Sequence, residues 1–472
     1  MHRPRSKRSQ IIRSTVVYTV MVTVILAGLA FGVLYTMGYR INTSDGSIAQ
    51  GGLLQVAAIP SGARVTMDSQ LLSGSSPMRI DARAGSHTLQ ISRDGYRPWQ
   101  KTVTVDPGTV HWVNYPRLVP LQPVEKVQAS FSELAAVLPA AKRDVIVAQP
   151  TLTEALFQRL EIGGDTVSKV DLRLPSNLVE LPDEAKVSYR MMQWDELDRL
   201  ILVEYTYDKS RGWVVLDTRS PENSVNVTAL LDDPTRVSQI MFDERNGRAL
   251  YVLANGVIRR LDISSRSLSA PLARDAQGMW QSHDGVVTFA SKLDDKGYRT
   301  VGYYTQGAAT SRTLQKFRSF EGETVRIAIG EYIGRQYVAV QRATAVEVSR
   351  LSLHASDSRS ELELTRLATI TTPEAARELS FSPHDRFVYV QYGATFTVYD
   401  IELDKMSIST VQGDEPIDKT LGWLDRYHVW SDRGERLRWY EFDGDNAQDI
   451  AAAAPGYAPK LTRNDRYLYV IQ

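Results

Sequence analysis

The chain contains no cysteine. That excludes disulfides, thiolate metal sites, a catalytic thiol and a lipoprotein anchor, and leaves core packing to hold the fold. The absence is compatible with export from a host that does not rely on disulfides, and equally with the cytosol. A net charge is lacking too, since 55 Lys and Arg balance 55 Asp and Glu. The balance is uneven along the chain. Arg3, Arg5, Lys7, Arg8, Arg13 and Arg40 fall in the first 40 residues, which hold no acid, so the rest carries six more acids than bases. A mildly acidic body argues against nucleic-acid binding, which needs a concentrated positive surface.

Catalytic signatures are missing as well. There is no HExxH, no Walker loop, no GxGxxG after a strand and no GxSxG. No catalytic, metal or cofactor residue is assigned, no cofactor is expected, and the chain is read as not an enzyme. His283, His354, His384 and His428 lie far apart and read as surface or turn residues. Asp443-Gly444-Asp445-Asn446 opens like a calcium loop but lacks the later Gly and Glu, so a plain turn is expected.

One long hydrophobic run is present. From Ser14 to Tyr39 no residue is charged, and Val16–Leu34 is apolar enough to span roughly 28 Å as a helix. Val and Ile favour strands in water, but in lipid the backbone must satisfy its own hydrogen bonds, so helix wins. Tyr18, Tyr35 and Tyr39 suit the interfaces, and the basic residues before the run suit the cytoplasm. The expected order is a basic tail (1–13), a transmembrane helix (14–37), a connector (38–50) with a Ser-Asp-Gly turn, and a body outside the cell membrane. The rival reading is a cleaved signal peptide with Gly28-Leu29-Ala30 at the cleavage site.

Residues 51–119 change to short alternating strands split by turns, as in Arg64–Asp68, His87–Ser92 and Trp99–Asp106. Some 70 residues of this kind predict a small antiparallel sandwich. Gly85 and Gly95 suit positive φ, and His87 reads as a strand residue. Tyr96 and Trp99 read as half-buried packing residues, with sugar stacking as the sharper alternative. The order Pro60-Ser61-Gly62-Ala63, Val65, Asp68, Gly74, Pro77, Gly85, His87, Gly95, Tyr96, Trp99 resembles the PEGA domain family, departing at Ser61 where the family has Glu. The resemblance implies an extracytoplasmic, often surface-associated, non-catalytic module. In it Pro60, Gly62, Ala63, Asp68, Pro77, Gly85, Gly95, Tyr96 and Trp99 are structural.

After the proline-rich stretch Tyr115–Pro123, which reads as stiff and extended, and a linker (120–143), residues 144–472 show no long helical periodicity. A unit recurs every 40 to 50 residues: a strand, an Asp-containing turn, a Tyr/Val strand, a turn, and a strand ending in Asp. Units start near Lys186, Val237, Met279, Thr324, Ala376 and Thr420. That period predicts a β-propeller. Seven blades are expected, with six or eight open, and residues 144–172 supplying outer strands to a blade shared with the C-terminal strands. Asn246-Gly247 and Asn255-Gly256 read as hairpin turns. Phe381-Ser382-Pro383-His384-Asp385-Arg386 resembles the blade turn of TolB/WD40-like propellers, departing at His384. Trp194, Trp213, Trp280, Trp423, Trp430 and Trp439 read as core between blades.

The fold class is therefore all-β after one transmembrane helix: a PEGA-like sandwich, then a propeller. The function expected is a non-catalytic envelope or cell-surface protein, tethered by a single pass. Its propeller would be a platform for an envelope protein or cell-wall glycan. A propeller hydrolase (glycosidase or peptidase) and a scaffold subunit of an envelope complex are the alternatives. The architecture suggests a bacterial source.

Overall fold

The structure is a computed structural model. It describes residues 7–36, 39–41, 48–182, 184–282, 285–308, 310–356, 359–411 and 421–472. Residues 1–6 of the tail, the Ser44-Asp45-Gly46 turn of the connector, and His283 lie outside the described residues. The chain divides into two compact units, 1–125 and 126–472.

Unit 1 begins with a helix, Lys7–Thr36. Its segment Thr15–Leu34 is uncharged and exposed along its length. At about 1.5 Å per residue it reaches the thickness of a hydrocarbon core, long enough for a membrane span or a signal sequence. Two sheets follow. In the first, Ile48–Val56 pairs antiparallel with Met78–Arg83 on one side. On the other side it pairs with Tyr39–Ile41 and, in parallel, with Val110–Val113. The second runs in the order Gln70–Leu71, Arg64–Met67, Gly85–Ser92, Trp99–Val105. Strand Trp99–Val105 alternates buried and exposed residues, the period of a strand with one face on a core. Leu54, Val65, Leu89, Ile91 and Trp99 fill that core. The parallel pair corrects the expectation of a purely antiparallel sandwich. The chain leaves Trp99–Val105 through the Asp106–Thr109 turn and crosses to the other sheet, so it enters Val110–Val113 in the direction of Leu53–Val56.

Unit 2 is a succession of antiparallel meanders, each with strands a to d in chain order. Sheet 1 is Ala136–Pro139, Val145–Gln149, Leu156–Gly163 and Thr166–Arg173, so strand a falls in the segment expected as linker. Sheet 2 is Val187–Trp194, Leu200–Tyr207, Ser210–Asp217 and Val225–Asn226. Sheet 3 is Val237–Asp243, Asn246–Ala254, Val257–Asp262 and Ser267–Leu268. Sheet 4 is Ala276–Ser282, Val286–Ser291, Tyr298–Tyr304 and Arg312–Arg318. Sheet 5 is Val325–Tyr332, Arg335–Arg342, Ala345–Ser356 and Arg359–Thr371. Sheet 6 is Glu378–Phe381, Phe387–Tyr392, Thr395–Asp400 and Lys405–Thr410. Sheet 7 is Gly422–Trp423, His428–Ser431, Arg436–Glu441 and Gln448–Ala452. A hairpin, Lys460–Leu461 with Leu468–Tyr469, follows.

Burial grades across each meander for a physical reason. Strand b has a strand on either side and sheets on both faces, so it reads as a continuous apolar run, fully buried in Phe387–Tyr392. Strand d is the outer edge and alternates with solvent, as in Lys405–Thr410. Neighbouring sheets pack face to face. Phe242 and Trp213 join sheets 2 and 3, Ile327 and Val301 join sheets 4 and 5, and Val388 and Val348 join sheets 5 and 6. Phe387 stacks on Phe442 at 4.3 Å between ring centroids beside strand c of sheet 7. The a strands lie innermost: the Gln193 side-chain amide donates to Gln281 at 2.8 Å, reaching past sheet 3 from sheet 2 to sheet 4.

Two expectations are corrected here. Sheet 1 is made wholly from residues 136–173, and no backbone pairing joins it to the C-terminal hairpin among the described residues. The hairpin is instead an inner a–b pair of its own, because its turn repeats the a–b turn of sheets 2 and 6. It meets sheet 1 through side chains: Tyr469 packs with Ile146 and Leu160, and its hydroxyl donates to the Gly164 carbonyl at 2.9 Å. Asn255-Gly256 is the hairpin turn expected, with φ of 51° and 78°. Asn246-Gly247 is not, since Asp243 pairs with Asn246 around Glu244-Arg245. Gly247 is required for another reason: a Cβ there would strike the Asp195 carboxylate.

Candidate functional site

One end of unit 2 is formed by the a–b turns, and three of these turns are copies. They read Asp195-Glu196-Leu197-Asp198-Arg199-Leu200, Ser382-Pro383-His384-Asp385-Arg386-Phe387 and Thr462-Arg463-Asn464-Asp465-Arg466-Tyr467. In each, the fourth residue donates its N–H to the carbonyl of the first, and the first donates to the carbonyl of the sixth. The side-chain oxygen of the first accepts from the N–H of the sixth, at 2.6, 3.2 and 3.1 Å. The fourth is Asp at φ 51°, 59° and 59°, a left-handed position that Asp tolerates better than most residues. Such turns satisfy their own backbone and are therefore rigid.

The turns also interlock. The Asp198 carboxylate accepts from Lys142 N at 2.5 Å, and the Asp385 carboxylate from Glu331 N at 3.1 Å, each reaching back to the turn of the preceding sheet. The Arg after each Asp pins strand c. Arg199 grips Asp217 and Arg386 grips Asp400, the last residue of strand c in both sheets. Each acid in turn accepts the next backbone N–H groups, Arg219 and Ser220 for Asp217, Glu402 and Leu403 for Asp400.

Ionisable groups along this end are displaced by burial. Desolvation pushes Asp198 up, although the backbone N–H groups of Lys142 and Arg143 oppose it. Desolvation pulls Lys460 down; its ammonium donates to the Ala140 carbonyl at 2.5 Å, where sheet 1 meets the hairpin. His384 is held at about 4, first by desolvation and then by Arg386 and Arg426, so its ring is neutral. It packs edge-on against Tyr427 at 5.0 Å and lies near Tyr332 and Phe387. His428 is buried and bonded to the Asp425 carboxylate at 2.9 Å. His384 is thus in a turn, as expected, though half-buried among aromatics of sheets 5 to 7, whereas the expectation for His428 is corrected, since it is a buried strand residue against Trp439 of its own sheet. A cavity of about 480 Å³ opens at the end of sheet 5, lined by Glu331, Arg335, Gln336, Arg350, Leu351 and Ser352. Among the described residues no His/Asp/Glu cluster has the makings of a metal site. Asp443–Asn446 forms a turn in which Gly444 N donates to Glu441 O.

In unit 1 the motif residues lie around the sandwich. Gly62 N donates to the Ser76 carbonyl, Ser76 N donates to the Ala63 carbonyl and Ala63 N donates to the Ser76 hydroxyl oxygen at 3.1 Å, which holds the Pro60–Ala63 turn against Pro77. Gly85 and Gly95 have φ of 132° and 84°. Trp99 is buried, with Tyr115 edge-on at 6.1 Å, so its ring has no face for a sugar. Tyr96 is half-buried, and the Arg93 guanidinium covers its ring at 5.6 Å. Asp68 does more than end a strand. It accepts Thr88 N at 2.9 Å and contacts His87 Nδ1 at 2.6 Å, while His87 Nε2 contacts the Arg83 carbonyl at 2.8 Å. A carbonyl and a carboxylate are both acceptors, so the pair favours a doubly protonated imidazole. Partial burial works against that charge, but Asp68 and the Arg83 carbonyl outweigh it and raise the His87 pKa.

This carries a prediction. A raised histidine pKa adds stability that is complete below about 6.5, the unfolded value, and is lost as pH rises through the folded value. The melting temperature of unit 1 is expected to fall as pH rises above about 6.5, and His87→Gln is expected to flatten that slope. An unchanged slope in the variant would remove the role.

The trpytophan expectations hold in part. Trp213 and Trp439 are buried, whereas Trp194, Trp280, Trp423 and Trp430 are half-buried. Trp194 Nε1 donates to the Leu138 carbonyl at 3.1 Å, tying sheet 2 to sheet 1. Arg199, Asp217, Asp400, Asp198 and Lys460 were not singled out from sequence, and Arg386 only as the last residue of the 381–386 turn motif. A signal existed for all but Lys460: Asp-Arg recurs at 198–199, 385–386 and 465–466, and strand c ends in Asp.

The PEGA domain family matches residues 52–120. No curated protein matches the chain. Among solved structures, the yeast heterotrimeric Nup82-Nup159-Nup116 nucleoporin complex is similar with a TM-score of 0.40 at 10% identity, over 68% of this chain and 97% of that one. Kluyveromyces lactis Hsv2 gives 0.40 at 10% identity, over 72% and 98%. Oligogalacturonate lyase in complex with manganese gives 0.40 at 10% identity, over 73% and 94%. Residues 52–120 are thus similar to the PEGA domain, and the meander topology of residues 126–472 is β-propeller-like.

Proposed function

We propose that this is a single-pass membrane protein whose body lies outside the cell membrane, with unit 2 as a binding platform for an envelope protein or cell-wall glycan. On this reading the meanders are blades of a TolB/WD40-like propeller, and chemistry is not its task. The observation that carries the reading is how the buried acids are used. Asp195, Asp198, Asp217, Asp385 and Asp400 each hold backbone N–H groups or an arginine. A rigid end built this way presents exposed side chains, such as Leu197 and Ile333, without rearranging itself, which lowers the entropic cost of binding. The uncharged Thr15–Leu34 helix and the PEGA match support the placement.

The test is retention of purified residues 41–472 on isolated cell-wall material and, separately, on a membrane-protein extract. Retention on either, weakened by charge reversal at the a–b turns, is expected. Retention on neither would overturn the platform. Resistance of the full chain to alkaline extraction from membranes, lost when residues 15–34 are deleted, tests the anchor.

A further inference from the structure

The two outer faces of the sandwich in unit 1 differ in kind. Strand partners lie on the same face of a sheet, so the pairings fix which residues stand together. On the second sheet Thr88 pairs with Thr102, and Gln90 pairs with Gln100 and Thr66, which makes that outer face polar. On the first sheet Leu53 stands between Asp81 and Val110, and Gln55 between Arg79 and Trp112. Arg83, opposite Gly51, continues the row on strand Met78–Arg83. Val110 is 49% exposed and Trp112 43%, and Arg79, Asp81 and Arg83 are exposed beside them. Leu54, Val56, Ile80 and Val113 alternate with these residues and fill the core, so the core does not need Val110 or Trp112. An apolar, aromatic strip flanked by arginine is the side-chain set of a membrane–water interface. There Trp lies at headgroup level, and the long Arg stem rests on apolar surface while its cation meets phosphate.

Chain length decides what lies near this face. The uncharged part of the helix ends at Leu34, and the first strand begins at Tyr39. Five residues reach at most about 18 Å, of which the headgroup layer takes up about 5–8 Å. Tyr39 pairs with Gln50, and Leu53, the partner of Val110, is about 10 Å further along that strand. A helix that spans a bilayer therefore keeps the face tethered beside the bilayer surface, at an effective concentration that a diffusing partner does not match.

We infer that the outer face of the sandwich's first sheet docks on the outer leaflet of the membrane that the helix spans. Val110 and Trp112 enter the headgroup layer, and Arg79 and Arg83 meet lipid phosphates. The two arginines outnumber Asp81, so the face matches an anionic surface. The inference rests on the single-pass reading proposed above.

The chain has no cysteine, so one can be introduced and labelled without background. Val110→Cys carries a fluorophore in the full chain, reconstituted in vesicles of phosphatidylcholine and phosphatidylglycerol that include a lipid spin-labelled near its headgroup. Thr102→Cys, on the polar face, is the reference, and unchanged melting curves show that the sandwich is intact in each variant. Quenching at position 110 is expected to be at least about threefold that at 102. Arg79→Glu with Arg83→Glu is expected to bring it down to the reference. Equal quenching at the two positions, or quenching at 110 that survives the double charge reversal, would overturn the inference. Release of the chain by alkali removes the anchor and the contact with it, whereas a chain that resists alkali without excess quenching at 110 removes the contact alone.

Discussion

Replacing Arg386 by Met is expected to cost unit 2 about 3–5 kcal/mol, the loss typical of breaking a buried ion pair from one side. Arg386 is 6% exposed as a side chain and Asp400 5%. The guanidinium forks onto both Asp400 oxygens at 3.0 and 2.7 Å, and its third nitrogen reaches Glu402 at 2.7 Å. Burial lowers the Arg386 pKa, but the Asp400 bond outweighs this and raises it, so the cation is secure. Removing it leaves a buried carboxylate held only by the N–H groups of Glu402 and Leu403. The double variant Arg386→Met with Asp400→Asn is expected to recover part of the loss, because the stranded charge goes with it. Arg64→Met is the contrast: Arg64 and Asp94 are 55% and 89% exposed, and such pairs contribute roughly 0–1 kcal/mol. Denaturant midpoints of unit 2 measure the first two, and that of unit 1 the third. Equal effects of Arg386→Met and Arg64→Met would refute the ranking.

Trp99→Ala is expected to unfold the PEGA-like sandwich rather than merely soften it. Trp99 is 1% exposed and packs edge-on against Tyr115. Truncating a buried Trp costs about 3–5 kcal/mol through lost transfer energy and the cavity left behind. A domain of this size has total stability of only about 5 kcal/mol, near the lower end for folded domains. Limited proteolysis should then cut within 51–119 while unit 2 resists. Trp112→Ala, at a side chain 43% exposed, should leave the sandwich intact. Survival of the domain in Trp99→Ala would mean that the core is held by Leu89, Ile91 and Val65 without it.

Much of the fold was legible because it is written in local chemistry. Proline, glycine and aspartate punctuate the strands, and continuous apolar runs such as Phe387–Tyr392 mark strands buried on both faces. The starts at Lys186, Val237, Met279, Thr324, Ala376 and Thr420 each lead into strand a of sheets 2 to 7. The Thr15–Leu34 run, the meander period and the Gly95 turn all follow from composition and spacing over a few residues.

What spacing cannot convey is which distant groups meet. Trp99 looked half-exposed because a strand residue does not reveal how deep its sheet is covered. Asn246-Gly247 looked like a turn, yet Gly247 is needed because Asp195 arrives from another sheet. The parallel pairing of Val110–Val113, the separateness of sheet 1 from the hairpin, and the Asp68–His87 contact are likewise products of assembly. The sequence by itself determined the membrane-length helix, the β class and the repeat, since these depend on periodicity and turn chemistry. Only the tertiary structure decided which acids are consumed in holding turns and which tryptophan is left exposed, because that depends on contacts between residues remote along the chain.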